Sequence, residues 1–315
     1  MLLSYWLRLL CLISFSAGLV EAAAALLMRL QAPALDRALA RLNARWRERV
    51  SFALPLVSHL AAALAAGVIV LLYIHTEADL FNERVGMLCV AGALLVAVRY
   101  AYALARALRL VWSARPAREL GIAASLAGTS IRLSASESPV LAVQGIFRPE
   151  IVVSRRLLVP AVLSPEALEI ALAHEKAHMR HLDNLKLLIL SSLSLSGCAC
   201  PAVLRWRRAA EIAADNDAVA GSRSRAILLA ETLLRTVRSV QDRHLPALAL
   251  PLLAHEQELE TRIDRLLDEQ ETVAPSARRF PLLRAGLVVL GIALLLLPLA
   301  ATAFHQYAEC VLHLG

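Results

Sequence analysis

The sequence predicts a mainly α membrane protein with four transmembrane helices and a cytoplasmic α+β domain inserted between the third and the fourth. Three observations predict this. Of 315 residues, 58% are hydrophobic and 19% charged, whereas soluble domains are nearer half apolar and a quarter charged, so the excess needs a bilayer. The apolar residues are gathered into runs long enough to cross one. The Arg residues behind the net charge of +7 flank those runs, a pattern that sets membrane topology and contacts lipid headgroups rather than nucleic acid. The expected division is residues 1–114 for three spans, 115–280 for the inserted domain and 281–315 for the fourth span and a short outer tail.

Residues 2–28 form the first run, too long for a signal peptide and without a small-residue cleavage site. Residues 53–74 and 86–112 form the second and third. Between the first two lie Arg29, Arg37, Arg41, Arg45, Arg47 and Arg49, and the third is followed by Arg115 and Arg118. The segment 75–85 is acidic. By the positive-inside rule the Arg-rich segments stay in the cytoplasm, which puts the N-terminus outside and the chain after residue 115 inside. The fourth run, 284–304, follows Arg278, Arg279 and Arg284. The five Cys residues have no C-x-x-C pairing, so neither a zinc knuckle nor a disulfide framework is expected.

Within the inserted domain, residues 119–134 carry no clear pattern. In residues 138–154 β-branched and aromatic residues dominate, with Gly and Pro as punctuation, which predicts two strands around a turn at Gly145. Ser164-Pro165-Glu166 is a helix start: a capping Ser, a Pro at the first turn and an acid at the positive end of the helix dipole. The apolar run 185–204 is almost long enough to span. A helix opening near Pro201 holds Glu211, Asp215 and Asp217, and residues 224–240 read as a basic amphipathic helix. His255 to Glu271 reads as a solvated surface helix.

The helix that opens at Ser164 contains His174-Glu175-Lys-Ala-His178. Positions i and i+4 share a helical face, so both imidazoles can reach one metal ion, with Glu175 beside them to take a proton from an activated water. A catalytic zinc site needs a third ligand, and Glu211 is the candidate. Asp215, one turn on, can accept a hydrogen bond from a ligand His and fix its tautomer. His181 and Asp217 read as surface residues. If the 185–204 run crossed the bilayer once, Glu211 would lie on the opposite side from both His residues. The run must therefore fold back, with breaks near Gly197 and Pro201.

Three blocks in order, Ser138–Leu158, Leu163–Asn184 and Arg205–Val219, resemble the beta-lactam-sensor (BlaR/MecR-type) antirepressor peptidases and, more distantly, the CAAX prenyl protease/HtpX peptidases. The resemblance implies that the domain is a gluzincin zinc metalloendopeptidase of the inner membrane. It implies zinc bound by His174, His178 and Glu211, with Glu175 as general base and Asp215 and Asp183 as acids behind the ligands. It further implies that the strand Pro149, Glu150, Ile151, Val152, Val153 and Ser154 is the sheet edge that pairs with an extended substrate. The substrate implied is a small winged-helix repressor, with self-cleavage besides. Quality-control proteolysis of membrane proteins and non-catalytic signal transduction are the alternative functions. The best-known antirepressors continue past the fourth span into an extracellular penicillin-binding sensor, and the expectation here is a short form without it.

Overall fold

The computed structural model describes residues 5–76, 86–114, 121–126, 128–135, 140–160, 162–194, 197–241, 256–268, 306, 308, 310 and 311. It is mostly helical, with one small sheet. Three helices are long and apolar enough to cross a membrane: α1 (Tyr5–Leu30), α3 (Ala44–Thr76) and α4 (Met87–Ser113). The fourth expected span, 284–304, lies outside the described residues. A short amphipathic helix, α2 (Ala32–Ala40), occupies part of the Arg-rich segment after α1. Helix α3 begins well before its apolar run, at Ala44, and takes in Arg45, Glu48 and Phe52.

The chain divides into two compact units, one of residues 1–40, 53–104 and 276–315, the other of residues 41–52 and 105–275. In the first, Leu9, Cys11 and Leu12 of α1 pack with Ile69 and Tyr73 of α3, Cys89 and Ala93 of α4, and Ala308 and Val311. Its buried charge is neutralised locally. Glu21 accepts hydrogen bonds from the Arg99 guanidinium and from Tyr100 Oη at 2.8 Å, and His59 Nδ1 lies 3.3 Å away. Polar side chains within membrane helices pair in this way because lipid cannot solvate them.

The second unit joins a four-stranded sheet to a helical layer. Residues 119–134, without pattern in the sequence, supply an antiparallel hairpin, β1 (Ile122–Leu126) and β2 (Thr129–Ser134). The two strands read from the sequence are β3 (Leu141–Gln144) and β4 (Glu150–Ser154), joined through Gly145 at φ +89. The order is β1-β2-β4-β3, with β4 parallel to β2 and antiparallel to β3. This corrects one expectation. The strand Glu150, Ile151, Val152, Val153, Ser154, preceded by Pro149, is interior: both of its sides are paired and Ile151 through Ser154 are buried. A run of three β-branched residues already suits a strand covered on both faces. On that side the outermost strand among the described residues is β3.

Helix α5 (Pro165–His181) lies against this sheet. Ser164 Oγ accepts from Ala167 N at 3.2 Å, Pro165 stands in the first turn, and Leu182 in the left-handed conformation ends the helix by donating its N–H to His178 and Met179. Ala167, Leu168 and Leu172 face Ile131, Ile151, Val153 and Leu157, while Ile170 packs with Ala218, Ala226 and Leu229. The 185–204 run does not span. It is helix α6 (Asp183–Leu193), a break containing a 3₁₀ turn at Gly197–Ala199, and then α7 (Pro201–Val219). Gly197 at φ +58 lies directly against the Arg106 guanidinium, which donates to the Ser194 carbonyl at 3.0 Å. Helix α8 (Arg223–Gln241) and α9 (Glu256–Leu267) complete the layer.

A Cβ at Gly145 would stand 2.7 Å from the Arg148 carbonyl oxygen, at a φ that L residues rarely adopt. We expect Gly145→Ala to lower unfolding free energy by about 1–3 kcal/mol, read as an earlier denaturant midpoint of the detergent-solubilised protein; an unchanged midpoint would mean the turn relaxes freely.

Candidate metal centre

Helices α5 and α7 build the centre. His174 and His178 stand one turn apart on α5, with their Nε2 atoms 3.1 Å apart. Glu211 on α7 places Oε2 at 3.5 Å from His174 Nε2 and Oε1 at 3.8 Å from His178 Nε2. Ligand-capable atoms of the three residues all lie within 4.8 Å of one another. A tetrahedron with zinc–ligand bonds of about 2.0–2.1 Å has an edge of roughly 3.4 Å, so the spacing and the imidazole–carboxylate donor set fit one ion of the zinc class. The approach of α7 depends on small residues: Ala209, Ala210, Ala213 and Ala214 are buried around Glu211.

Each imidazole has a carboxylate behind it. His178 Nδ1 lies 2.7 Å from Asp183 Oδ2, and His174 Nδ1 lies 3.0 Å from Asp215 Oδ1. A carboxylate at Nδ1 holds the proton there and leaves Nε2 to face the centre. Asp183 reaches His178 because Leu182 adopts φ 56, turning the chain between α5 and α6.

Arg262 was missed in the sequence. Its helix, α9, is not the solvated surface helix expected there: Leu266 is buried with Ile263 against α8. The guanidinium donates from Nε and Nη2 to the two oxygens of Asp215, at 2.8 and 2.6 Å, and its Nη1 lies 2.9 Å from Glu211 Oε2. A signal was present, since Arg262 falls at helical spacing on the apolar stripe of Leu259, Ile263 and Leu266. One surface assignment also changes. The Asp217 side chain is 6% exposed, and Arg45, Arg180 and His181 surround it at 2.9, 3.2 and 3.2 Å.

The field of these groups favours positive charge between the imidazoles. Burial opposes charging His174, but Asp215 and Glu211 outweigh it and push its pKa up to about 10. Burial would also raise the carboxyls of Glu211 and Asp215; Arg262 and the imidazoles hold both below the usual carboxylate range instead. A divalent cation satisfies the same field. Glu175 differs, since burial lifts it above the usual range. Its Oε2 accepts from the Val143 N–H of β3 at 3.0 Å. So the sheet residue beside the centre is Val143, while Pro149–Ser154 lie on the inner strand. Asn184 Nδ2 donates to the carbonyls of Val143 and Gly145, at 3.1 and 2.8 Å.

The family model for the BlaR1 peptidase M56 matches residues 56–266, well over half of the chain and every residue of the centre. The chain belongs to the M56 family of BlaR1 peptidases. No curated protein and no solved structure matches it. With three apolar helices of spanning length and a residue cluster able to hold a metal, this M56 peptidase is a membrane metallopeptidase.

Removing the cation from a buried ion pair costs about 3–5 kcal/mol. The Arg262 side chain is 16% exposed, so Arg262→Met should cost about 3 kcal/mol of stability, with zinc recovering part of the loss by supplying the missing charge. Thermal unfolding with and without zinc measures both effects, and a variant melting with wild type in each condition would remove Arg262 from the electrostatic account.

Proposed function

We propose that the protein is a zinc-dependent endopeptidase of the bacterial inner membrane whose centre faces the cytoplasm and cleaves a small winged-helix transcriptional repressor, and itself. The observation that carries the reading is the convergence of His174, His178 and Glu211 with Glu175 alongside. Membership of the BlaR1 peptidase family supports the regulatory substrate, and the Arg-rich segments flanking the spans support the orientation.

In this reading His174, His178 and Glu211 hold zinc, oriented by Asp215 and Asp183. Zinc supplies a Lewis acid for the scissile carbonyl and lowers the pKa of water toward neutrality. Glu175, with its affinity for protons raised by burial, takes a proton from the attacking water and passes it to the leaving amine. Arg262 keeps Glu211 and Asp215 ionised. An extended substrate adds to the β3 edge rather than to β4. The backbone N–H and C=O of Val143 point away from the sheet and are held by Glu175 and Asn184. A substrate strand competes for both groups, so its arrival frees the Glu175 carboxylate for water.

Glu175→Gln should keep about one zinc per chain and cleave a repressor or model peptide about 10²–10⁴-fold more slowly, whereas replacing both His174 and His178 by Ala should abolish zinc binding. Metal analysis of the purified protein and a peptide-cleavage assay report the two. Wild-type cleavage by Glu175→Gln, or full zinc content without the two His residues, would end the proposal.

A further inference from the structure

Behind Asp183 stands a second set of buried groups that the reaction itself does not use. Asp183 Oδ2 faces His178, and its other oxygen, also buried, faces Lys186 Nζ at 3.7 Å, one turn along α6. Lys186 is held far more tightly from the opposite side. Its Nζ donates to Glu48 Oε1 at 2.6 Å and lies 5.7 Å from the centre of the Phe52 ring. Glu48 and Phe52 stand one turn apart on α3, so one face of that helix presents a carboxylate and an aromatic face to the same ammonium. Glu48 Oε1 also accepts from Trp206 Nε1 of α7 at 3.0 Å. Glu48 is 3% exposed and Trp206 is 2% exposed. All of these residues belong to one unit.

We propose that Glu48 and Lys186 are positioning residues for the metal centre, acting on His178 through Asp183. The chemistry is specific to this geometry. Asp183 can orient the His178 ring through Nδ1 only while its Oδ2 stays turned toward that ring. Its other oxygen is buried without a hydrogen bond, and a carboxylate held at one oxygen only is free to swing away from Nδ1. Lys186 supplies a cation there, and a flexible four-carbon stem would let its ammonium wander. Glu48 and Phe52 fix it where it faces the outer oxygen of Asp183 without drawing the carboxylate away from His178. Trp206 in turn fixes Glu48, and it rides on the same helix as Glu211 and Asp215. The ammonium thus registers α3, α6 and α7 against one another around one ligand His. An ordinary surface ion pair would not be enclosed on three sides and would carry little consequence.

The inference rests on His178 being a ligand, as proposed above, and the test separates the two. Full-length protein in detergent is stripped of metal and titrated with zinc against a chromophoric chelator, and kcat and KM are measured on a model peptide. Lys186→Met should weaken zinc about 10-fold or more and lower kcat while KM stays near wild type; Lys186→Arg should restore much of both. Glu48→Gln should weaken zinc on its own and add nothing further in the Lys186→Met background, because the two act through one path. Arg45→Met, which cuts the exposed pair from the same helix to Asp217, should leave zinc affinity unchanged. Wild-type zinc affinity in Lys186→Met, or fully additive losses in the double variant, would overturn the proposal, as would an equal loss in Arg45→Met, which would indicate general loosening of α3. If His178→Ala itself binds zinc like wild type, the ligand assignment fails instead.

Discussion

The pairing of Arg262 with Asp215 and Glu211 is the interaction on which the centre depends. Two carboxylates one turn apart on α7 face two imidazoles one turn apart on α5. Left alone, the carboxylates would repel each other and one would take up a proton. A single guanidinium spanning both keeps them ionised, as a planar fork with fixed donors can and an ammonium cannot. It leaves an excess of negative charge directed at the imidazoles, which is the condition for holding a divalent ion. The centre is thus assembled from three helices, and α9, remote in sequence from the His pair, is as much a part of it as α5.

Geometric precision follows from packing. Helix α5 is buried on two faces, against the sheet through Leu168 and Leu172 and against the α7–α8 side through Ile170. A helix gripped in this way cannot rotate to turn His174 and His178 away from Glu211. The Ala residues around Glu211 serve the complementary need, since bulkier side chains would hold α7 too far away for its carboxylate to approach both Nε2 atoms. Glu175 projects instead toward β3, where it accepts from the Val143 N–H.

How much of this the sequence contained follows from the range of the forces involved. The His pair, the capped start of α5 and the fold-back of 185–204 were legible because each depends on local spacing or on a constraint that admits one solution. The interior place of β4 was not, because strand order is set by the β1–β2 hairpin, whose small residues and Gly carry no strong periodicity. The outer strand on that side is therefore β3, one strand over from where the edge was expected. Arg262 and Asp217 were misread for a different reason. A charged residue on an amphipathic helix is solvated in most contexts, and only its place relative to the apolar stripe hints otherwise. Ion pairs across long sequence separations, such as Asp215 with Arg262 or Glu48 with Lys186, leave no local trace.

Helix α3 carries this argument into the architecture. Its apolar run suggested a span starting at residue 53, with the Arg-rich stretch before it as a connecting loop. The helix instead runs unbroken from Ala44, and its first two turns belong to the peptidase unit. The reason is in the side chains. Arg45, Glu48 and Phe52 recur at i, i+3 and i+7 on one face, and each finds a partner on α6 or α7: Asp217, Lys186 and the Trp206 ring. The unit that holds the centre is therefore not a contiguous insertion. A chain beginning at residue 115 would lack the carboxylate that satisfies buried Trp206 Nε1 and anchors Lys186, and would lack Arg106 at the turn where α6 gives way to α7. The same helix therefore gives its first two turns, with Arg45, Glu48 and Phe52, to the unit that holds the centre and its apolar run to the other.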